Sequence, residues 1–564
     1  KRERERERKR DLSFFSVAME SAGLQKAAMA PLKTNMNTKT EDYQNNYKEM
    51  EEMVATLNER LQEASIQGTE KEIKRHHKRG QLLARDRVEL LLDEDSPFLE
   101  LLPLCGWGQD DMTIGGGSVA GIGLVEGVEC LISANVSTRK GGAIDEMGLV
   151  KGTRLAEIAM ENHLPAISLT QSAGANLSQQ ARVFHKGGQT FRELAIRSKR
   201  GETTVCVVFG SSTAGGAYQP GMSDYTVMVK DQAKVFLGGP PLVKMATGEE
   251  VDDETLGGAD MHSRVSGVSD YLAKDELSAI RLTREIMANL NWQKRTILPT
   301  RHLTCAIEEP LYNPDELLGV VPANIRVPFD CREVIMRIVD GSRFSEFKPL
   351  YGSTLVCGFA YIHGIAIGIL GNNGVLFVDS SNKGAQFIQL CNQKNVPLLF
   401  LQNITGFMVG SKYEKEGMIK AGSQFINAVS NSGVPAITIV MGASYGAGNY
   451  AMCGRAYKPR FLFSWPNSKC SVMGPEQLTG VMDIVSRGSA ARRGQKVDEE
   501  KLAFQKSMFQ NLVEEQSDVY YTTSRAIDDG VIDPRDTRDV IGMCLSIIYN
   551  NHVQGDNTSG ISRL

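Results

Sequence analysis

Apolar and polar positions change rhythm along this chain. From residue 42 to about residue 92 they follow a helical period: Met50, Met53, Leu57 and Leu61 form an apolar stripe among Lys48, Glu49, Glu51, Glu59, Arg60 and Glu63. Spacings of three and four residues place such a stripe on one helix face, which predicts a helical arm. After Ser96-Pro97 the pattern becomes short apolar runs punctuated by glycine. Residues 119–125, 129–135, 166–170 and 204–209 read as strands, with a helix over 154–162. Residues 355–361, 365–371, 398–402 and 436–441 repeat the strands, with a helix over 383–393. Alternation of strand and helix predicts parallel sheets built from βαβ units. A Pro-containing stretch at 300–314 reads as the linker between two such units.

The second unit is a weak copy of the first. Lys151-Gly152 recurs as Lys383-Gly384, Pro165 as Pro397, Gly174 as Gly406 and Gly210 as Gly442, each 232 positions further on. At the same offset, Gly215-Gly216-Ala-Tyr218 recurs as Ala447-Gly448-Asn-Tyr450. Solenoid repeats run to about 20–50 residues, so this repeat is a whole domain. The copied landmarks are mostly small residues, which points to a backbone-built site present as two half-sites.

The chemistry of the copied turns follows from their backbone. Ser211-Ser-Thr-Ala-Gly-Gly-Ala-Tyr218 follows a strand and opens a helix. Successive small residues there expose N–H groups, and a helix N-terminus adds positive potential. Two N–H groups converging on one oxygen form an oxyanion hole for an enolate or a similar anion. The alternative is a glycine turn that merely permits tight packing. Recurrence as Tyr445-Gly-Ala-Gly-Asn-Tyr450, in register with the other landmarks, favours the site. A second pair of turns, Gln171-Ser-Ala-Gly-Ala-Asn176 and Asn403-Ile-Thr-Gly-Phe407, follows buried strands, where α/β proteins place ligands. Their glycines suit backbone geometry, and spacing alone assigns them no ligand.

Other motifs carry less. The run Gly115-Gly-Gly-Ser-Val-Ala-Gly-Ile-Gly123 leads into a strand rather than a helix, which removes a dinucleotide reading. No Walker A or H-E-x-x-H sequence occurs. Gly442-Ala-Ser-Tyr-Gly446 matches G-x-S-x-G, but His552 is the only histidine after Ser444, so a tight strand-to-helix turn is preferred to a hydrolase elbow. His76 and His77 point about 100° apart on a helix and read as a solvated or interface face, not a metal pair. No nucleophile–base set emerges, so the base must come from a cofactor or the substrate.

Composition narrows the class. The 564 residues suffice for about two to four domains, with 41% apolar and 23% charged positions. A net charge of −4 gives no nucleic-acid footprint. Ten cysteines without a C-x-x-C pair suit a reducing compartment and disfavour a disulfide framework or a cysteine-rich zinc site. No apolar run is long enough to span a membrane. The opening KRERERERKR predicts a solvated segment whose glutamates disfavour a simple transit peptide, while residues 12–39 leave room for a targeting sequence.

Longer runs bring a family into view. His77-Lys-Arg-Gly-Gln-Leu-Leu-Ala-Arg-Asp-Arg87, Leu91-Leu-Asp, Ser96-Pro-Phe-Leu-Glu100 and Asp528-Asp-Gly-Val-Ile-Asp-Pro-Arg-Asp-Thr-Arg538 resemble the carboxyltransferase (β) subunits of biotin-dependent acyl-CoA carboxylases. Gly371-Asn-Asn-Gly-Val-Leu376, Phe400-Leu-Gln-Asn-Ile-Thr-Gly-Phe-Met-Val-Gly410 and Ser444-Tyr-Gly-Ala-Gly-Asn-Tyr450 are most similar to the 3-methylcrotonyl-CoA type. The first half departs from that type at Gln171-Ser-Ala-Gly-Ala-Asn176 and across residues 182–200.

The resemblance implies an α/β fold of two tandem crotonase-like carboxyltransferase domains behind a helical arm. It implies a disordered or targeting segment at 1–41, the arm at 42–95, an acyl-CoA domain at 96–305 and a biotin domain at 306–564. Gly215 and Gly216 would hold the thioester oxygen, and Ala447 and Gly448 the biotin ureido oxygen. Ser172, Ala173, Gly174 and Ala175 would flank the acyl-CoA, and Thr405, Gly406, Phe407 and Gly446 the biotin. No metal site is implied. Carboxybiotin would arrive on a biotin carboxylase and carrier (α) subunit, which uses ATP and Mg²⁺. The site would form between the first domain of one β subunit and the second of another, in a hexamer core within an α6β6 complex. Relatives work in the mitochondrial matrix or, in bacteria, in the cytoplasm. Geranyl-, propionyl- or longer-chain acyl-CoA, or a biotin-dependent decarboxylation, are the alternatives. A silent structural partner is disfavoured by the intact glycines, and a hydratase would want a carboxylate base beside the hole.

Overall fold

The computed structural model describes residues 30–296, 307–556, 558 and 560–563. The charged run at 1–10, most of the candidate targeting stretch and the first part of the predicted linker lie outside the described residues.

The arm forms as its pattern predicts. Helix α1 (Glu41–Ser65) buries Tyr43, Met50, Val54 and Leu57, and its N-cap Thr40 accepts from the Tyr43 N–H. Helix α2 (Glu70–His77) opens on a capping box between Thr69 and Glu72. Helix α3 (Ala84–Leu91) follows. The His76-His77 face is not uniformly solvated: His77 is exposed, but His76 is buried, with Nε2 3.0 Å from the Leu82 carbonyl. The chain folds back after α2, and that return covers the ring; burial lowers the His76 pKa. The arm touches both halves. The Tyr43 hydroxyl donates to the Glu316 carbonyl, while α3 lies on the first sheet.

The first sheet contains β1 (Leu99–Glu100), β2 (Ser118–Val125), β3 (Val128–Asn135), β4 (Ala166–Ser172), β5 (Thr204–Thr213), β6 (Tyr225–Val229), β7 (Lys234–Phe236) and β8 (Tyr271–Ala273). Its order is β1-β2-β3-β4-β5-β6-β8, with β7 beside β5. Helix α4 (Glu146–Glu161) links β3 to β4, and α5 (Gln180–Lys199) links β4 to β5. The second sheet contains β9 (Ser345–Phe347), β10 (Leu355–Ile362), β11 (Ile365–Asn372), β12 (Leu398–Ile404), β13 (Ala436–Tyr445), β14 (Phe461–Ser464) and β15 (Lys469–Ser471). Its order is β14-β13-β12-β11-β10-β9, with β15 beside β13. Helices α6 (Val378–Lys394) and α7 (Met418–Ser430) make the corresponding crossovers.

The parallel prediction holds for the centre of each sheet but not for its edge. β2–β3 and β10–β11 pair antiparallel. Their two-residue turns, Glu126-Gly127 and His363-Gly364, have φ of 51° and 74° and of 48° and 77°. Two successive positive φ values make the hairpin turn whose twist matches paired strands. The copy extends to an irregularity: the β4–β5 register shifts between Thr170 and Ser172, and the β12–β13 register between Gln402 and Ile404.

The halves share a core. Leu99, Leu131 and Leu155 of the first half pack in one cluster with Val334, Ile367 and Phe463 of the second. Beyond residue 471, α8 (Pro475–Arg492) and α9 (Glu499–Ser517) pack chiefly on each other and leave Val481, Ile484, Phe504 and Met508 exposed.

Candidate active site

The candidate residues gather at the C-terminal ends of β4 and β5, and again of β12 and β13. In the first half, β5 runs into a tight turn, Ala214–Ala217, and then a short helix, Tyr218–Met222. Ala214 opens the turn at φ 55°, and Gly446, its counterpart, adopts φ 57°. That conformation costs an alanine about 1 kcal/mol, so the fold holds the turn in place. Ser212 helps, its buried Oγ donating to the Gly216 carbonyl over 2.9 Å. The N–H groups of a first helical turn have no intrahelical acceptor, which leaves them to a ligand.

The glycines of the two turns serve different ends. At Gly215 a Cβ would meet only Phe191 Cζ at 3.6 Å, and at Gly216 only Ser212 Oγ at 3.4 Å. Neither has a positive φ, so packing and backbone conformation both tolerate a side chain there. Absence of a side chain at these exposed and half-buried positions keeps the backbone open. Gly448 differs. It is buried, and a Cβ would lie 2.5 Å from Ile404 Cγ1 and 3.0 Å from Gly406 Cα. The packing reading therefore fails at Gly215 and Gly216 but holds at Gly448, while exposed Ala447 needs no explanation from packing.

The upstream turns are fixed by the same bonds in both halves. Gly174 (φ 88°) accepts from Ile144 N–H over 2.9 Å, and Gly406 (φ 124°) accepts from Leu376 N–H over 3.1 Å. The return bonds run from Asn176 N–H to Ile144 O and from Met408 N–H to Leu376 O, at 2.8 and 2.9 Å. Ser172 is buried and occupied, its Oγ donating to Gly142 O over 2.6 Å and accepting from Gly174 N–H. Ala173, Ala175 and Thr405 are exposed, and Phe407 is half-buried. Within each half the two turns meet: a Gly174 Cβ would lie 3.0 Å from Thr213 O, and Gly448 rests on Gly406. Each turn makes its main contacts inside its own half.

Residues outside the predicted site set complete the picture. Phe191 on α5 lies edge-on to Tyr218, with ring centroids 5.6 Å apart, beside Gly215. Gln171 fills the space over Gly210, as Asn403 does over Gly442. Its Oε1 accepts from Arg87 Nη1 over 2.9 Å, so the first-half turn is tied to the arm. Arg87 is itself buried, bonded to Glu276 through Nε and Nη2 and stacked 4.3 Å over Phe209. The copied Lys151 is buried and donates to Gly115 O and Ser118 O at 3.0 and 2.8 Å. The glycine run at 115–117 is thus a lysine-anchored loop, and burial brings that lysine down to about 8.

Ser444 is not a poised nucleophile. It is buried in β13, donates to Gln402 Oε1 over 2.7 Å and accepts from Asn449 Nδ2 over 2.7 Å. His552 is exposed in the C-terminal segment. No helix among the described residues is long and apolar enough to cross a membrane.

This arrangement has known relatives. The family described as "Carboxyl transferase domain" matches residues 75–559. A Mycobacterium tuberculosis chain named "Probable biotin-dependent acyl-coenzyme A carboxylase beta2 subunit" is 55% identical over 90% of this chain and 95% of its own. The mitochondrial methylcrotonoyl-CoA carboxylase beta chain of Dictyostelium discoideum is 48% identical over 91% of this chain and 87% of its own. The crystal structure of the P. aeruginosa geranyl-CoA carboxylase beta subunit superposes with a TM-score of 0.84 at 44% identity, covering 95% of this chain and 100% of that one. Duplicated sheets, copied turns and these matches across nearly the whole chain agree, and the chain belongs to the carboxyltransferase (β) subunits of biotin-dependent acyl-CoA carboxylases.

Proposed function

We propose that this subunit carboxylates 3-methylcrotonyl-CoA. The observation that carries the site assignment is the pair of glycines, Gly215 and Gly216, that the fold does not require at the mouth of a copied turn. Their N–H groups hold the thioester oxygen and stabilise the negative charge that develops on it as a γ proton, conjugated to the thioester through the C=C bond, leaves; one such donor contributes about 3 kcal/mol. Exposed Ala173 and Ala175 border the acyl-CoA, with Ser172 and Gly174 shaping the turn beneath. The N–H groups of Ala447 and Gly448 orient the biotin ureido oxygen, beside Thr405, Gly406, Phe407 and Gly446. Carboxybiotin, when bound, would supply the CO2 and, once that has left, a nitrogen base, which accords with the sequence yielding no nucleophile–base set. Exclusion of water from the assembled site would protect the reacting carbanion.

Residues 96–305 form the acyl-CoA domain and 306–564 the biotin domain. A complete site takes its first half from one subunit and its second from another, in a hexamer core. The biotinylated partner is a separate α subunit that consumes ATP and Mg²⁺. In a eukaryotic source the complex works in the mitochondrial matrix, and otherwise in the cytoplasm; the Dictyostelium discoideum relative's name places that protein in the mitochondrion.

Phe191 and Tyr218 limit the room beside Gly215, which favours a short branched acyl group. Geranyl-CoA is the second reading, on the similarity to the geranyl-CoA carboxylase beta subunit. Bicarbonate fixation by the chain reconstituted with a biotinylated α subunit, across an acyl-CoA panel, tests both. The highest kcat/KM on 3-methylcrotonyl-CoA is expected; no fixation on any acyl-CoA would refute the assignment.

A further inference from the structure

Ser444, which is no nucleophile, is the node of a hydrogen-bond chain beneath the turn that carries Ala447 and Gly448. Gln402, on β12, donates from Nε2 to the Met452 carbonyl over 2.6 Å. Its Oε1 accepts from Ser444 Oγ on β13 over 2.7 Å, and Ser444 Oγ in turn accepts from Asn449 Nδ2 over 2.7 Å. Gln402 and Ser444 are fully buried, so bulk water does not reach the bond between them. The chain has one direction. A backbone carbonyl accepts and never donates, so Met452 O holds the Gln402 amide with Nε2 towards it and Oε1 towards Ser444. Ser444 has a single hydroxyl proton, spent on Oε1, so Asn449 must present its NH2. The Asn449 amide packs on Gly454, where a Cβ would collide with it. Ser444, Asn449 and Met452 bracket or lie within the six-residue segment Gly446–Ala451, so that segment is tied to both β12 and β13.

The first half uses its copy of the serine differently. At positions 232 earlier stand Thr170, Ser212 and Ala217. Ser212 Oγ bonds the Gly216 carbonyl directly, and Thr170 Oγ1 lies 3.4 Å from Cys206 Sγ. The relay through a glutamine and an asparagine thus belongs to the second turn. Resting on the reading of that turn as the biotin side, we propose that Gln402, Ser444 and Asn449 are positioning residues that set the direction of the Ala447 and Gly448 N–H groups. A hydrogen bond weakens steeply as its donor swings off line, so the donors must be aimed before the ligand arrives. None of the three side chains needs to touch biotin for this.

The test is carboxyl transfer to free biotin by the full-length subunit, from the carboxylated product of the best acyl-CoA in the panel. The carboxylate passes from its carbon to the ureido nitrogen, and the N–H proton goes to the carbon it leaves. Ser444→Ala breaks the chain at its middle and adds neither charge nor bulk. Asn449→Asp keeps the shape but replaces the donor with an acceptor, at a half-buried residue where the fold tolerates it. In both variants kcat/KM for free biotin should fall about 10–100-fold, the range expected when a reacting group is misplaced by a fraction of an ångström to an ångström. KM for the CoA thioester should stay within about twofold of the parent, because the first half's turn is untouched. A fall on biotin of less than about tenfold in either variant, or an equal loss on both substrates, would overturn the proposal. No transfer by the unsubstituted subunit would instead refute the biotin reading of the turn, and the proposal with it.

Discussion

Arg154 reaches from the first half into the second and grips Asp529 at both oxygens, with Nε 2.8 Å from Oδ1 and Nη2 3.0 Å from Oδ2. Asp529 is fully buried and also receives Arg455 and the Leu462 N–H. Stranding one member of a buried pair costs about 3–5 kcal/mol. Arg455 and the Leu462 N–H still hold Asp529 without Arg154, so Arg154→Met should lower the urea midpoint at pH 7.5 by the equivalent of less than that full cost. Replacing Glu499, whose pairing with Arg487 is exposed, should leave the midpoint in place.

Adjacent carboxyls give opposite pH responses. Burial would raise Asp529, but Arg154 and Arg455 outweigh it and bring the pKa down to about 2. Its stabilisation is present above the unfolded value of 3.8 and is lost as pH falls towards 2. Burial pushes Asp528 up to about 6. Its contribution is greatest below 3.8 and is lost as pH rises through 6, a penalty of about 3 kcal/mol at neutrality. Asp528→Asn should be at least as stable as the parent at pH 7.5 and should lose the decline between pH 4 and 6. Urea midpoints across a pH series read this directly; a decline that persists in the variant would place it on another group.

One substitution made in both turns should fail in two ways. Gly216→Val meets only Ser212 Oγ, so the subunit should fold and assemble while kcat falls about 10²–10³-fold. Gly448→Val drives its side chain into Ile404 and Gly406 and should reduce folded yield and melting temperature before kinetics can be compared. Size exclusion, circular dichroism and turnover together separate the outcomes. A fully active Gly216→Val subunit would remove the anion-holding role from that turn.

How far the sequence carries this result depends on the range of the contacts involved. The strand at 398–404 is legible because both faces are covered, leaving the apolar run Leu398-Leu-Phe-Leu401, and the one at 166–172 because Ile167 and Leu169 alternate with polar Ser168 and Thr170. The hairpins escape the repeat because Val128 and Ile365 are 237 positions apart rather than 232. Helices α8 and α9 are opaque because α8 buries no residue and α9 buries only Leu502 and Ser517, so no core-facing stripe is written in them. In the site, recurrence singles out Gly215, Gly216 and Gly448 alike. Only the fold separates them, because the contact that excludes a side chain from Gly448 comes from Ile404, on another strand. Asp528 and Asp529 are equivalent as letters and differ because Arg154 arrives from the first half.

Phe191 is the residue through which the acyl group can be interrogated. Helix α5 holds its ring edge-on to Tyr218, and its Cζ lies 3.6 Å from the position a Gly215 Cβ would take. A thioester oxygen on the Gly215 and Gly216 N–H groups places the acyl carbons beside this ring. An acyl chain longer than the space must displace it, whereas a short branched one packs against it. One methylene of misfit or lost contact is worth about 1–3 kcal/mol in transition-state binding, or roughly 10–200-fold in kcat/KM. Phe191→Ala should therefore lower kcat/KM for 3-methylcrotonyl-CoA about tenfold and raise that for geranyl-CoA, with the melting temperature little changed. The ratio of the two kcat/KM values is the quantity to measure, because a general loss of folding or of biotin docking scales both substrates together. A ratio that stays constant would mean that the acyl chain leaves the turn in another direction.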